Sequence, residues 1–134
     1  MVNYMVKVIL DSNFVFVPFQ FKIDVFQELN RLLGKAEPII LTTTLEEIEA
    51  LTRKRSPKMG KQASAALELA KKCETVEAEK LPNESYDDVV LRTAKELNCP
   101  VATNDSNLRK KLRQAKVTVV YVRQKSHLEI EGRL

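Results

Sequence analysis

Five short apolar runs alternate along this chain with segments whose apolar residues recur at helical spacing. Val6–Leu10 is apolar apart from Lys7 and mostly β-branched, Pro38–Leu41 and Pro100–Thr103 repeat its apolar character, Val117–Val122 closes the series, and Thr75–Ala78 is a weaker member. Runs that do not alternate apolar with polar residues suit strands covered on both faces. Between them Ile23, Phe26, Leu29 and Leu33 keep helical spacing until Gly34, and Thr44 opens a helix with Leu45, Ile48 and Leu51 on one face. Ala63, Ala66, Leu67, Ala70 and Cys73 line a third helix, Ser85 begins a fourth with Val90, Ala94 and Leu97 inward, and Asn107–Arg113 is a short fifth. Strands alternating with helices predict parallel βαβ units, hence a three-layer α/β/α sandwich around a central, mainly parallel five-stranded sheet. Phe14, Phe16, Phe19 and Phe21 read as an aromatic loop after the first strand. Residues 1–123 read as one domain and residues 124–134 as a polar, loosely held tail.

Composition removes several functions. No apolar stretch approaches the roughly 20 residues that cross a bilayer, and the N-terminus lacks the basic-then-apolar pattern of a leader. A cytoplasmic protein with no membrane partner is the expectation. Cys73 and Cys99 stand apart from each other and from His127, too few donors for a zinc site that needs about four. Both fall at apolar positions near helix ends and read as buried free thiols. With glycine only at Gly34, Gly60 and Gly132, neither a GxGxxG nor a GxxxxGK[ST] phosphate loop can be written.

Charge is unevenly spread. Arg53, Lys54, Arg55, Lys58 and Lys61 form a cluster without an acid, and Arg109, Lys110, Lys111, Arg113, Lys116, Arg123 and Lys125 form another. Glu68–Asp88 is mostly acidic. Segregation of this kind suits a polyanionic partner, though two solvated faces would look the same.

Four acidic stretches fall at strand–helix junctions: Asp11-Ser12-Asn13 directly after the first strand, Glu46-Glu47, Asp87-Asp88, and Thr103-Asn104-Asp105. In an open parallel sheet ligands bind beyond the carboxyl ends of the strands, where Asp11 and Asp105 would project into one crevice if their strands are neighbours. Each acid has a structural alternative. Asp105 can cap the helix that follows, Thr44-x-x-Glu47 is written like a capping box, and Ser85-x-x-Asp88 invites the same reading. A cap does not account for Asp87. Gathered in one pocket, four carboxylates would raise one another's pKa and repel, so such a cluster points to a divalent cation and, in a basic protein, to phosphate chemistry.

In this order Asp11-Ser12-Asn13, Glu47, Asp87 and Thr103-Asn104-Asp105 resemble the marks of PIN domains, small nucleases with a parallel sheet and an acidic metal site. The likeness runs from Val6 to Val122. The segment Val101–Arg113, a TND motif entering a basic helix, is similar to the PIN branch of small-subunit ribosomal RNA processing endonucleases. The doublets Glu46-Glu47 and Asp87-Asp88 leave the register open by one residue, with helical facing favouring Glu47.

The resemblance implies phosphodiester hydrolysis in RNA with Mg²⁺ or Mn²⁺, since oxygen donors alone suit hard cations. It makes Asp11 the central ligand, Asp87 and Asp105 its companions, and Glu47 a ligand or the group that orients the attacking water. Ser12, Asn13 and Thr103 would fix the orientation of the carboxylates. Arg53, Lys54, Arg55 and Lys58 would flank the cleft, while Arg109, Lys110 and Arg113 would track phosphates. Phe14, Phe16 and Phe19 could stack unpaired bases of single-stranded or structured RNA, but packing in the core or a homodimer accounts for them better. Two further readings stay open. One is a VapC-type toxin acting on RNA beside an antitoxin; the other is a non-catalytic, RNA-binding scaffold with a ribosome-assembly partner.

Overall fold

A computed structural model describes residues 5–53 and 56–133. The chain runs β1 (Val6–Leu10), a 3₁₀ turn (Phe14–Phe16), α1 (Val17–Phe21), α2 (Val25–Leu33), β2 (Ala36–Leu41) and α3 (Thr42–Thr52). There follow α4 (Pro57–Lys71), β3 (Glu74–Val76), α5 (Tyr86–Leu97), β4 (Val101–Ala102), α6 (Ser106–Gln114), β5 (Val119–Arg123) and β6 (His127–Glu131). The strands form a six-stranded sheet in the order β3-β2-β1-β4-β5-β6. All neighbours are parallel except β5 and β6, which pair antiparallel from Val119↔Glu131 to Arg123↔His127.

Burial on both faces explains the apolar strands. Val8, Leu10, Ile40, Ala102 and Val120 face one layer, with Phe14, Val25, Leu29, Ile48, Ala63, Ala66 and Ala70. Ile9, Ile39, Leu41, Val101 and Val119 face the other, with Val89, Val90, Ala94, Leu108 and Leu112 of α5 and α6. Alternate residues of each strand thus serve opposite cores. The strand order reverses between β1 and β4, and this switch point opens the crevice that holds the site.

Two expectations change. The sixth strand lies in the stretch expected to be a loose tail: Leu128 is fully buried, its amide donates to Glu28 at 3.0 Å, and Arg31 donates to its carbonyl at 2.9 Å. These two bonds occupy main-chain groups on the sheet's outer edge. The turn before it puts Gln124 and Lys125 at φ 54° and 57°, a conformation usually left to Asn or Gly, so the hairpin carried none of its ordinary sequence signal. The aromatic stretch is helical, not a loop, and Phe14 and Phe16 are buried, which leaves Phe19 exposed at its end. Cys73 and Cys99 are both free, but only Cys99 is buried as expected while Cys73 is half-buried, and burial raises both thiols to about 11. No helix among the described residues is long and apolar enough to cross a membrane.

Candidate active site

Asp11 directly follows β1 and is only 3% exposed. Its main-chain amide donates to Ala102 of β4 at 2.9 Å, which ties the two strand ends together. Three donors surround its carboxylate: the Ser12 amide at 2.9 Å, the Asn13 side-chain amide at 3.1 Å and the Thr103 hydroxyl at 2.8 Å. Asn13 in turn accepts from the Asn104 amide at 2.9 Å, and Thr103 accepts from the Asp105 amide at 3.1 Å. Ser12, Asn13 and Thr103 thus all bond to the Asp11 carboxylate, and Asn13 and Thr103 also hold the loop that carries Asp105. Even so the Asp11 pKa rises to about 6, because burial outweighs the hydrogen bonds from Thr103 and Ser12 and the charges of Asp87 and Asp105 add to it.

Glu47 stands on the second turn of α3. That helix starts at Thr42 with Leu41 as its cap residue and no side-chain cap, so the Thr44-x-x-Glu47 box does not form. Thr44 is instead buried, with no hydrogen-bond partner for its hydroxyl among the described residues. Released from capping, Glu47 has its pKa raised to about 7, by burial first and then by Asp11 and Asp87; the Ser12 hydroxyl offsets this in part. Glu46 is exposed, whereas Glu47 is half-buried.

The doublet on α5 divides its labour. Asp88 closes a capping box with Ser85: its carboxylate accepts from the Ser85 amide at 2.9 Å, and its amide donates to the Ser85 hydroxyl at 3.1 Å. The Ser85 amide, and after it the Ser85 hydroxyl, hold the Asp88 carboxyl below the usual range. Asp87 takes no part in the cap. Its pKa is raised by burial, by Asp105 and by Asp88, against the opposing charge of Lys111. Asp105 is the N-cap of α6, where one carboxylate oxygen accepts from the Asn107 amide at 2.8 Å and the Leu108 amide at 3.2 Å. The capping reading of Asp105 is thus fulfilled, yet its charge still reaches Asp11 and Asp87.

Asp11, Glu47, Asp87 and Asp105 therefore share one electrostatic neighbourhood, which α5 and α6 enter by their N-termini, ends that favour negative charge. Among the described residues no three His, Cys, Asp or Glu side chains converge tightly enough to hold an ion as they stand. The donors are all carboxylate oxygens, the set that hard divalent cations take.

The basic residues scatter. Arg53 and Lys58 are exposed on the α3–α4 side, and Lys110 is exposed on α6. Lys54 and Arg55 lie outside the described residues. Arg109 stacks 3.6 Å from the Tyr121 ring centroid and pairs with Glu131 at 2.6 Å, and Arg113 approaches the same carboxylate at 3.6 Å. Both were expected to face phosphates; the structure engages them in fastening β6 to α6, because the unforeseen strand brings Glu131 beside them. Lys111, not singled out in the sequence, is the cation whose charge reaches Asp87 and Asp88. Its place one turn beyond Leu108, on a helix opened by an acid, was the available signal.

Residues 8–125 match the family model described as a PIN like domain. Ribonuclease VapC4 of Methanocaldococcus jannaschii is 37% identical over 133 residues, which span 96% of this chain and 98% of that protein. The solved structure of the PIN domain endonuclease Utp24 superposes with a TM-score of 0.77 at 28% identity, covering 96% of this chain and 92% of that one. A domain of a functionally unknown protein from Methanocaldococcus jannaschii shares the fold, with a TM-score of 0.65 at 18% identity over 96% and 98% of the two chains.

Proposed function

Because the chain belongs to the PIN-like domain family, we propose that it is a divalent-metal-dependent endoribonuclease whose site is Asp11, Glu47, Asp87 and Asp105. The observation that carries this reading is the meeting of these acids at the strand ends, where burial and mutual repulsion push Asp11 to about 6 and Glu47 to about 7 and where, among the described residues, no cation is paired to either. A scaffold would gain nothing from such repulsion. Asp11, Asp87 and Asp105 would hold Mg²⁺ or Mn²⁺, and Glu47 would hold the ion or orient the attacking water. What the cation supplies when bound is neutralisation of charge building on the phosphate and acidification of a water. Ser12, Asn13 and Thr103 keep the Asp11 carboxylate from turning away. Lys111, Lys110, Lys58 and Arg53 would meet phosphates, contacts that add affinity without sequence reading and weaken with salt.

The test is to incubate the protein with 5′-labelled single-stranded and structured RNAs in Mn²⁺ or EDTA, beside Asp11→Asn. Cleavage should need both Mn²⁺ and Asp11; RNA binding with no cleavage in Mn²⁺ would favour the scaffold instead.

Two biological settings fit the activity. The TND-plus-basic-helix segment Val101–Arg113, which resembles ribosomal RNA processing endonucleases, supports maturation of ribosomal RNA with a ribosome-assembly partner, and the match to the PIN domain endonuclease Utp24 supports endonucleolytic cleavage. The 37% identity to Ribonuclease VapC4 over nearly the full length of both chains supports a toxin held by an antitoxin. Growth arrest on expression, relieved by a neighbouring gene, would select the second. Cytoplasmic action accompanies either setting.

A further inference from the structure

A groove leads away from the acids between α1 and α4. It begins as a cleft of about 230 Å³ at Ser12 and Asn13, which hold Asp11, and passes over Phe16 to Met59 and Gln62. A second cleft of about 600 Å³ continues it past Gln20, Met59 and Gln62 to Phe19 and Lys58. Phe19 and Met59 are 41% and 40% exposed, among the few large apolar side chains left in solvent. Core packing does not explain them, since Phe14 and Phe16 from the same stretch are buried.

Resting on the ribonuclease reading above, we propose that this groove takes one unstacked nucleobase of the RNA, next to the nucleotide whose phosphate lies at the acids. The chemistry matches a base on three sides. Phe19 and Met59 offer an aromatic face and a polarizable thioether, Gln20 and Gln62 each carry an amide able both to donate to and to accept from a base edge, and Lys58 meets the backbone phosphate. Continuity with the acid cleft through Ser12 and Asn13 fixes where the strand must come from. A duplex cannot present a base there without unpairing it, so the site selects single-stranded or flipped nucleotides.

The experiment uses a fluorescein-labelled six-nucleotide single-stranded RNA and a set in which each position in turn is abasic. Binding is followed by anisotropy in Ca²⁺ without Mn²⁺, and cleavage of the same oligomers is followed with Mn²⁺. One abasic position should weaken binding by about tenfold, the size of a base–aromatic stack. That penalty should disappear in Phe19→Ala and shrink in Met59→Ser. A 2-aminopurine at that position should be quenched by the wild-type protein and not by Phe19→Ala. The inference is overturned if no abasic position costs more than about twofold, or if the penalty survives both variants. It is overturned equally if Phe19→Ala changes the mass by light scattering while RNA binding stays unaltered, for the groove then belongs to a second copy. Failure of cleavage with base-dependent binding intact would sink the nuclease reading and keep the base site; base-independent binding with cleavage intact would do the reverse.

Discussion

Helix α6 carries charge at both ends of its length, and the two ends behave in opposite ways. At its start Asp105 joins Asp11, Glu47 and Asp87, where burial and neighbouring negative charge raise Asp11 to about 6 and Glu47 to about 7. Further along, Arg109 and Arg113 flank Glu131, with Tyr121 beneath the Arg109 guanidinium. The second cluster is satisfied and holds β6 in place. In the first, the unlike charge among the described residues is Lys111 near Asp87, and holding the acids together works against the fold. Where a fold maintains repulsion that a few substitutions would relieve, the acids are kept for what they bind; where charges are paired, they explain only architecture.

The largest effect that would break this contrast concerns activity. Asp11→Asn and Asp87→Asn should each lower RNA cleavage in Mn²⁺ by about 100-fold or more, as loss of a charge-stabilising group does elsewhere. Glu131→Gln, which alters the paired cluster, should leave the rate within about twofold. A similar loss from all three would erase the distinction.

Stability against pH separates the clusters next. Asp11 and Glu47 have folded-state pKa values above their ordinary 3.8 and 4.5, so between about pH 4 and 7 the folded chain keeps protons the unfolded chain has released. Stability in EDTA should therefore fall across that window, by about 3 kcal/mol for Asp11 if the whole shift is expressed. Glu28 and Glu84, lowered to about 2 by Arg31 and Arg92, act with the opposite sign and lose their contribution only as pH falls from the ordinary carboxylate range towards 2. Urea midpoints measured from pH 3 to 8 should thus fall on both sides of a maximum near pH 4 to 5. Glu47→Gln should flatten the upper limb alone, and Mn²⁺ should raise it above pH 7. An upper limb that does not fall in EDTA would remove the repulsion from the account.

The latch is expected to contribute less. Its groups are partly exposed, with Arg109 35% and Glu131 41% accessible in their side chains, so solvent screens the pair. Glu131→Gln should cost about 1 kcal/mol, read as a lower urea midpoint with an unchanged slope, and the β6 amides should exchange hydrogen faster.

How far each cluster was legible follows from the kind of signal it needed. The acid cleft was readable because Asp11 and Asp105 follow strand ends, and the fold forces such positions together once β1 and β4 are neighbours. The latch was not, because it depends on β6, whose turn uses Gln124 and Lys125 in a conformation that neither residue announces. Leu128 and Ile130 do alternate with polar neighbours, yet two apolar residues in a charged tail gave too little pattern to separate a strand from a loose end. Without β6 to supply Glu131, Arg109 and Arg113 could only look like free cations.

The smallest effect lies within a single turn of α5. Asp87 and Asp88 are consecutive carboxylates, but one faces the cleft and the other bonds back to Ser85. In Asp88→Asn the amide oxygen can still accept from the Ser85 amide, so what is lost is mainly the negative charge at a helix N-terminus, a minor and salt-screened contribution. Its melting temperature should drop by less than that of Glu131→Gln, the difference should shrink in 0.5 M salt, and cleavage should stay within about twofold. Asp87→Asn should do the reverse, because it removes charge that Asp11 and Glu47 oppose: no loss of stability in EDTA, and loss of cleavage. If the two variants behaved alike, adjacent acids would not have been divided between binding and capping, and the register of the site on α5 would have to move by one residue.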